Sequence, residues 1–137
     1  MDLEYSKKLL RILIHNSSQI LNAGFGVDRA ESSFFDVIDL LREVPPLRED
    51  FLLMVKDTLK NRDPSGLDEG SVPRELVELA AHELRWQEFR ALANERVKSI
   101  FGGDVALARS DIAHTIAEAY QESWEGRQFY RRYNEHE

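Results

Sequence analysis

The sequence predicts an all-α fold, a single-domain bundle of about six to seven short antiparallel helices, with solenoid-like helix pairs as a variant. Apolar residues recur every three or four positions over most of the 137 residues, which is the spacing of amphipathic helices. The 4 prolines and 7 glycines lie mostly between these periodic segments, where they end helices. The 42% hydrophobic and 31% charged composition is typical of a folded globular domain.

Three helices are predicted in the first half of the chain. The first covers residues 3–15, and the polar run 16–18 is expected to cap a short continuation. The second covers 28–44, because its first residues have capping-box spacing and prolines follow its end. The third covers 46–61 and begins at a proline. The predicted inward residues are Leu9, Leu10, Leu13, Ile14, Phe34, Val37, Ile38, Leu41, Leu47, Phe51, Met54, Val55 and Leu59.

Residues 62–71 form the predicted loop that joins the halves 1–61 and 72–137. This segment lacks apolar periodicity and is rich in turn-forming residues. Because neither half alone is long enough for a good core, we expect residues 1–137 to form one domain.

The segment 73–101 has apolar residues on two different faces. At 100° per residue, the apolar side chains within 76–84 lie roughly opposite those within 86–100. This reversal predicts a break near residues 85–87 and two short helices. A continuous helix between two layers is the alternative.

The last third is predicted to hold one long helix and a docking segment. Gly102 and Gly103 stop the preceding helix, and Asp104 caps a helix that runs to about Glu125. The aromatic and basic residues 129–133 are expected to pack their rings on the core. The inward stripe of the long helix is Val105, Ala108, Ile112, Ile116, Ala119 and Tyr120.

Composition narrows the classes of function. Zero cysteines exclude disulfides and thiolate metal sites and fit a reducing compartment, so the cytoplasm is predicted. No signal peptide or membrane span is evident. The net charge of −7 is spread over both halves and disfavours nucleic acid, but it favours a basic protein partner. No cofactor is predicted, and self-association stays open.

The preferred function is a non-enzymatic protein-binding module with an acidic surface, of the kind used by immunity or antitoxin-type inhibitors of basic effectors. Two acidic helix faces support this hypothesis, and Phe35 is predicted on the outer side of the second helix, between Glu31 and Asp39. The alternative is that the acidic faces only keep the helices soluble and that Phe35 is buried beneath the 16–26 connection. The predicted partner-binding residues are Phe35, Asp36, Asp39, Glu43, Asp111, Glu118, Glu122 and Glu125.

A second hypothesis concerns the run Arg109-Ser110-Asp111-Ile112-Ala113-His114. The spacing of its arginine and histidine resembles the short signature of HEPN-type ribonucleases, which are small all-α proteins that often act as dimeric toxins. The resemblance covers six residues, and the polar residue that usually follows the arginine is here a serine. It implies that His114 acts as acid and base and that Arg109 stabilises a phosphoryl charge.

A third hypothesis is a carboxylate–histidine metal site. Glu75, Glu78 and His82 share one helix face, and Asp111, His114 and Glu118 repeat that spacing. Dimetal bundles draw such ligands from facing helices. Both triads are predicted opposite the apolar stripes of their helices, where solvent rather than a buried metal is expected.

Overall fold

The computed structural model describes residues 2–62 and 70–135. Within these ranges the chain forms seven α-helices, one 3-10 helix and no strand, which confirms the all-α prediction. None of the described helices has the length and apolar character needed to cross a membrane. Most of the predicted loop 62–71 lies outside the described residues. The elements are α1 (Leu3–Asn22), α2 (Val27–Glu43), α3 (Leu47–Leu59), α4 (Arg74–Leu84), α5 (Gln87–Phe101), α6 (Ile112–Glu118), the 3-10 helix η1 (Glu125–Phe129) and α7 (Arg131–Asn134).

Helix α1 is longer than predicted. The expected cap at 16–18 is wrong, because two serines of that run are buried inside the helix and bond within it. The Ser17 hydroxyl donates to the Leu13 carbonyl (2.9 Å), and the Ser18 hydroxyl donates to the Ile14 carbonyl (3.2 Å). Because each hydroxyl bonds to the carbonyl four residues earlier in the same helix, it does not draw the backbone into a non-helical conformation.

Helix α2 lies at the centre of the core. Its four predicted inward residues, Phe34, Val37, Ile38 and Leu41, are at most 2% exposed. Burying each such side chain stabilises the fold by about 1.5–3 kcal/mol. The same hydrophobic cluster extends from Leu10 in α1 to Tyr130 before α7.

The predicted break near 85–87 is confirmed. Arg85 ends α4 in the left-handed conformation (φ 55°), and Trp86 is extended before α5 begins. Two hydrogen bonds to Tyr120 hold this corner in place. Arg85 donates to the Tyr120 carbonyl, and the Tyr120 hydroxyl donates to the Trp86 carbonyl. The Trp86 ring stacks on Phe89, with centroids 5.5 Å apart.

The long helix predicted from Asp104 to Glu125 is wrong. Gly102 ends α5 at φ 62° as predicted, but 104–110 form turns in which the Asp104 carboxylate accepts from the backbone of Ala106 and Leu107. Helix α6 starts only after Asp111, whose carboxylate caps it by accepting from the Ala113 N–H (2.9 Å). Val105, predicted inward, is 69% exposed.

The C-terminal segment packs on α2 through Tyr130 and Tyr133, as predicted, but the expectation is wrong for Phe129, which is 61% exposed. The Tyr130 and Tyr133 rings contact the edge of Phe35 at centroid distances of 5.9 and 6.0 Å. The Glu31 carboxylate accepts from the backbone N–H groups of Arg131 (2.8 Å) and Arg132 (3.0 Å), so it caps α7. These contacts close the core over α2.

Candidate functional site

Five carboxylates surround a cavity of about 760 Å³, which we call the acidic pocket. Glu75 and Glu78 come from α4, Glu118 ends α6, and Glu125 begins η1. The first residues of α2, including Asp28, complete the rim. The fold thus gathers acidic side chains from four separate segments around one cavity.

Aromatic side chains form the remaining wall of the acidic pocket. Trp124, Phe129 and Tyr130 line it, and the Trp124 and Tyr130 rings lie 6.3 Å apart at a shallow angle. Phe129 is 61% exposed, so its ring is available to a ligand. Gly126 is required here, because a Cβ at this position would overlap the Trp124 ring.

The charges in the pocket are only partly balanced. Glu78 forms an ion pair with Arg74 (3.4 Å), and the Nε2 of His114 lies 3.1 Å from a carboxylate oxygen of Glu118. Glu75 and Glu125 form no ion pair with another described residue. Burial raises the pKa of Glu75, as expected where water is partly excluded. A cation in this pocket would therefore be attracted by two carboxylates that form no ion pair with a described residue.

The first predicted metal triad does not form a metal site, because His82 turns away from it. His82 is 3% exposed, not on a solvated face as predicted. Its Nδ1 lies 2.7 Å from the Ala119 carbonyl, and its Nε2 lies 2.8 Å from the Arg127 guanidinium. The ring therefore donates from Nδ1 and accepts at Nε2, which leaves no lone pair for a metal. Burial lowers the pKa of His82 and keeps the ring neutral.

The second triad is split between two partners. The Asp111 carboxylate faces Arg96, with N–O distances of 2.8 and 2.9 Å, whereas His114 pairs with Glu118. Burial raises the pKa of Asp111, but hydrogen bonds from Arg96 and the Ala113 N–H outweigh burial and lower it. Among the described residues, no three histidine or carboxylate side chains are arranged to hold a metal ion.

The two residues of the predicted ribonuclease pair do not share the cavity beside His114. Arg109 is an exposed residue of the turns before α6, and His114 lies within α6. The cavity of about 330 Å³ beside His114 is lined by α5, α6 and the turns between them, but not by Arg109. No hydrogen bond between described residues joins the two side chains, so the geometry adds nothing to the ribonuclease hypothesis.

The predicted acidic stripe from 111 to 125 does not lie along one helix, because 119–124 form turns. Glu118 and Glu125 nevertheless reach the acidic pocket, whereas Glu122 is exposed in a turn. Asp111 is engaged with Arg96 and is not available to a partner.

The acidic face of α2 is present, but its aromatic centre is covered. Asp36 and Glu43 are exposed and Asp39 is half-exposed. Phe35 is only 5% exposed, so its predicted outward placement is wrong. It lies beneath the C-terminal segment rather than the 16–26 connection, with the Arg132 guanidinium 4.0 Å above its ring.

Arg96 is an important residue that sequence reasoning missed. It is 2% exposed and donates to the carbonyls of Leu59 (2.6 Å), Asn61 (2.6 Å) and Arg62 (3.1 Å) as well as to Asp111. One guanidinium therefore ties the end of α3 to the start of α6. Its position three residues after the inward Ala93 was the available signal.

Comparisons with protein-family models, with curated proteins and with solved structures give no match to this chain.

Proposed function

We propose that this chain is a non-enzymatic protein-binding module that binds a basic partner protein through the acidic pocket. The observation that carries the proposal is the convergence of Glu75, Glu78, Glu118 and Glu125 around one cavity with aromatic walls. A lysine or arginine side chain satisfies both features, since its charge pairs with carboxylates and stacks on aromatic rings.

The chemistry of the pocket favours binding over catalysis or metal coordination. His82 is committed to Ala119 and Arg127, and His114, which contacts Glu118, lines a different cavity. Binding needs no such group, because paired charges and a desolvated ring supply the affinity of many interface hot spots. Phe129 at the rim is the aromatic anchor of this proposal.

A protein partner fits better than a free cation because the negative charge extends beyond the pocket. The net charge is −7, and α2 carries further exposed carboxylates at Asp36 and Glu43. Charge spread over this area attracts an extended basic surface and speeds its association.

An immunity or antitoxin-type inhibitor is the form of binding module that we propose. Small acidic domains suit the neutralisation of basic effectors, whose own surfaces carry the complementary charge. The absence of cysteine suits a reducing compartment, so we place this interaction in the cytoplasm.

Site-specific photocrosslinking in cells tests this proposal. Benzoylphenylalanine in place of Phe129 should crosslink to a protein of high pI, and the matched probe at Ile12 should not. Both side chains are equally open, at 61% and 63% exposure. The double substitution Glu75→Gln and Glu125→Gln should reduce the Phe129 crosslink about tenfold or more. Crosslinks that go only to acidic proteins, or that survive this double substitution, would overturn the proposal.

A titration in vitro tests the chemistry of the pocket itself. N-acetyl-arginine amide should shift the NMR signal of the Trp124 indole N–H, because Trp124 lines the pocket. The Trp86 indole lies at the α4–α5 corner and serves as the control within the same molecule. Equal shifts of the two indoles, or no shift up to about 100 mM ligand, would contradict a cation-binding pocket.

A further inference from the structure

We propose that the apolar groove between α3 and α5 binds a second copy of this chain. The groove has a volume of about 400 Å³ and is lined mainly by Leu52, Leu53, Ala91 and Leu92. Leu53 is 61% exposed at its edge. This surface shares no lining residue with the acidic pocket.

The charges of α3 identify the occupant. Glu49 and Lys56 line the groove together with Leu52 and Leu53, and the four positions follow helical i, i+3, i+4, i+7 spacing. They form one stripe about 10 Å long with opposite charges at its ends and leucines between them.

This stripe is complementary to itself when reversed. In an antiparallel pair of α3 helices related by a twofold axis between residues 52 and 53, Glu49 of one copy faces Lys56 of the other. The same axis places Leu52 opposite Leu53 of the second copy. A twofold interface repeats each contact, so both charge pairs and both leucine pairs form together.

The two end charges are available for these contacts. Neither Glu49 nor Lys56 forms an ion pair with another described residue. Glu88, which also lines the groove, is instead held by Arg48 at 3.0 and 2.6 Å. A uniformly basic partner would be repelled by Lys56, and a uniformly acidic one by Glu49, whereas a second copy satisfies both.

Sedimentation equilibrium at increasing protein concentration tests the interface. The wild type should show a monomer–dimer equilibrium, and Leu53→Asp should raise the dimer Kd at least about a hundredfold. Ile12→Asp is the matched control, since Ile12 is an equally exposed apolar residue on α1, and it should leave Kd unchanged. A wild type that remains monomeric up to about 1 mM, or a dimer that survives Leu53→Asp, would overturn the proposal.

A charge swap identifies the antiparallel register. Glu49→Lys and Lys56→Glu should each raise Kd about tenfold or more, because each places like charges opposite one another twice. The double variant should restore the wild-type Kd, and a mixture of the two single variants should form heterodimers. Lys8→Glu on α1 matches the change in net charge caused by Lys56→Glu and should leave Kd unchanged. Equal Kd values for all these variants would exclude this register, whatever the outcome for the acidic pocket.

Discussion

The guanidinium of Arg96 and the carboxylate of Asp111 form a two-point ion pair, with nitrogen–oxygen distances of 2.8 and 2.9 Å. The side chains are 1% and 10% exposed, so the pair is shielded from water. The same arginine satisfies backbone carbonyls at and just beyond the end of α3, and the same aspartate caps α6. Three structural elements therefore depend on one pair of residues.

Arg96→Met should lower the free energy of unfolding by about 3–5 kcal/mol, because it leaves a buried carboxylate and several carbonyls without their partner. Arg96→Lys should recover little of this loss, since one ammonium cannot reproduce the planar fork of the guanidinium. Urea unfolding followed by circular dichroism measures both. A loss below about 1 kcal/mol for Arg96→Met would mean that the pair contributes little to stability.

Asp111→Asn provides the matched comparison. Asparagine still caps α6 but removes the negative charge, so we expect a smaller loss of about 1–3 kcal/mol. If Asp111→Asn lost as much stability as Arg96→Met, the destabilisation by Arg96→Met would come from the lost charge pair with Asp111 and not from the carbonyl contacts of Arg96. For the same reason, variants that probe partner binding should leave Asp111 unchanged.

The buried His82 should make the protein less stable in mild acid. Burial lowers its pKa in the folded state, so below about pH 6.5 the unfolded chain binds a proton that the folded chain does not. Stability should therefore fall as pH drops below that value, by up to about 1.4 kcal/mol per pH unit, until the folded-state pKa is reached.

His82→Gln isolates this contribution. The difference in unfolding free energy between wild type and variant should shrink as pH falls from about 7.5 to 5.5, because the variant has no imidazole to protonate. Urea unfolding at several pH values measures the difference. If the unfolding free energies of the two proteins changed in parallel with pH, His82 would have similar proton affinities in the folded and unfolded states.

Gly126→Ala should displace the Trp124 ring from the wall of the acidic pocket. The added methyl group overlaps the ring, which is also packed on His82 at 4.7 Å and cannot move freely. We expect a loss of about 1–3 kcal/mol in unfolding free energy. In a Trp124→Leu background, Gly126→Ala should lower the unfolding free energy by less. If the loss were unchanged, the Trp124 ring would not be its cause.

The Glu31 cap should control how firmly α7 is held. Glu31→Ala removes both acceptors from the first N–H groups of α7 and should cost about 1 kcal/mol locally. Amide exchange at Arg131 and Arg132 should then speed up about fivefold or more, as measured by NMR. Glu31→Gln keeps one acceptor and should show a smaller increase. Unchanged exchange in Glu31→Ala would show that the aromatic contacts alone hold α7.

The sequence predicted those parts of the fold that depend on local periodicity. The reversal of the apolar face at Trp86 correctly located the break between α4 and α5, because each short helix buries its own stripe. The stripe after Asp104 was misleading, since Ala108 and Ile112 are buried whether or not the backbone between them is helical. The Asp104 carboxylate bonds to a turn there, and Asp111 supplies the actual cap.

The candidate site depended on contacts between distant segments, which periodicity does not report. His82 and Phe35 both lie on helix sides predicted to face solvent, and both are buried because the C-terminal segment covers them. Glu118 and Glu125 were predicted to bind a partner, but Glu118 meets Glu75 and Glu78 because α6 packs against α4, and Glu125 joins them from η1. Single-helix patterns identified these four carboxylates as candidate site residues but did not predict their common cavity.

The bond between Glu31 and Arg131 joins residues 100 positions apart and so has a kinetic consequence. Closing a loop of that length costs more chain entropy than forming any neighbouring helix pair. We therefore expect the contacts of α7 with α2 to form after the folding transition state. In a mutational analysis of folding kinetics, the residues of these contacts should have folding φ-values near zero. Substitutions at Glu31 should then accelerate unfolding and leave the refolding rate almost unchanged, so this contact governs how long the native state persists.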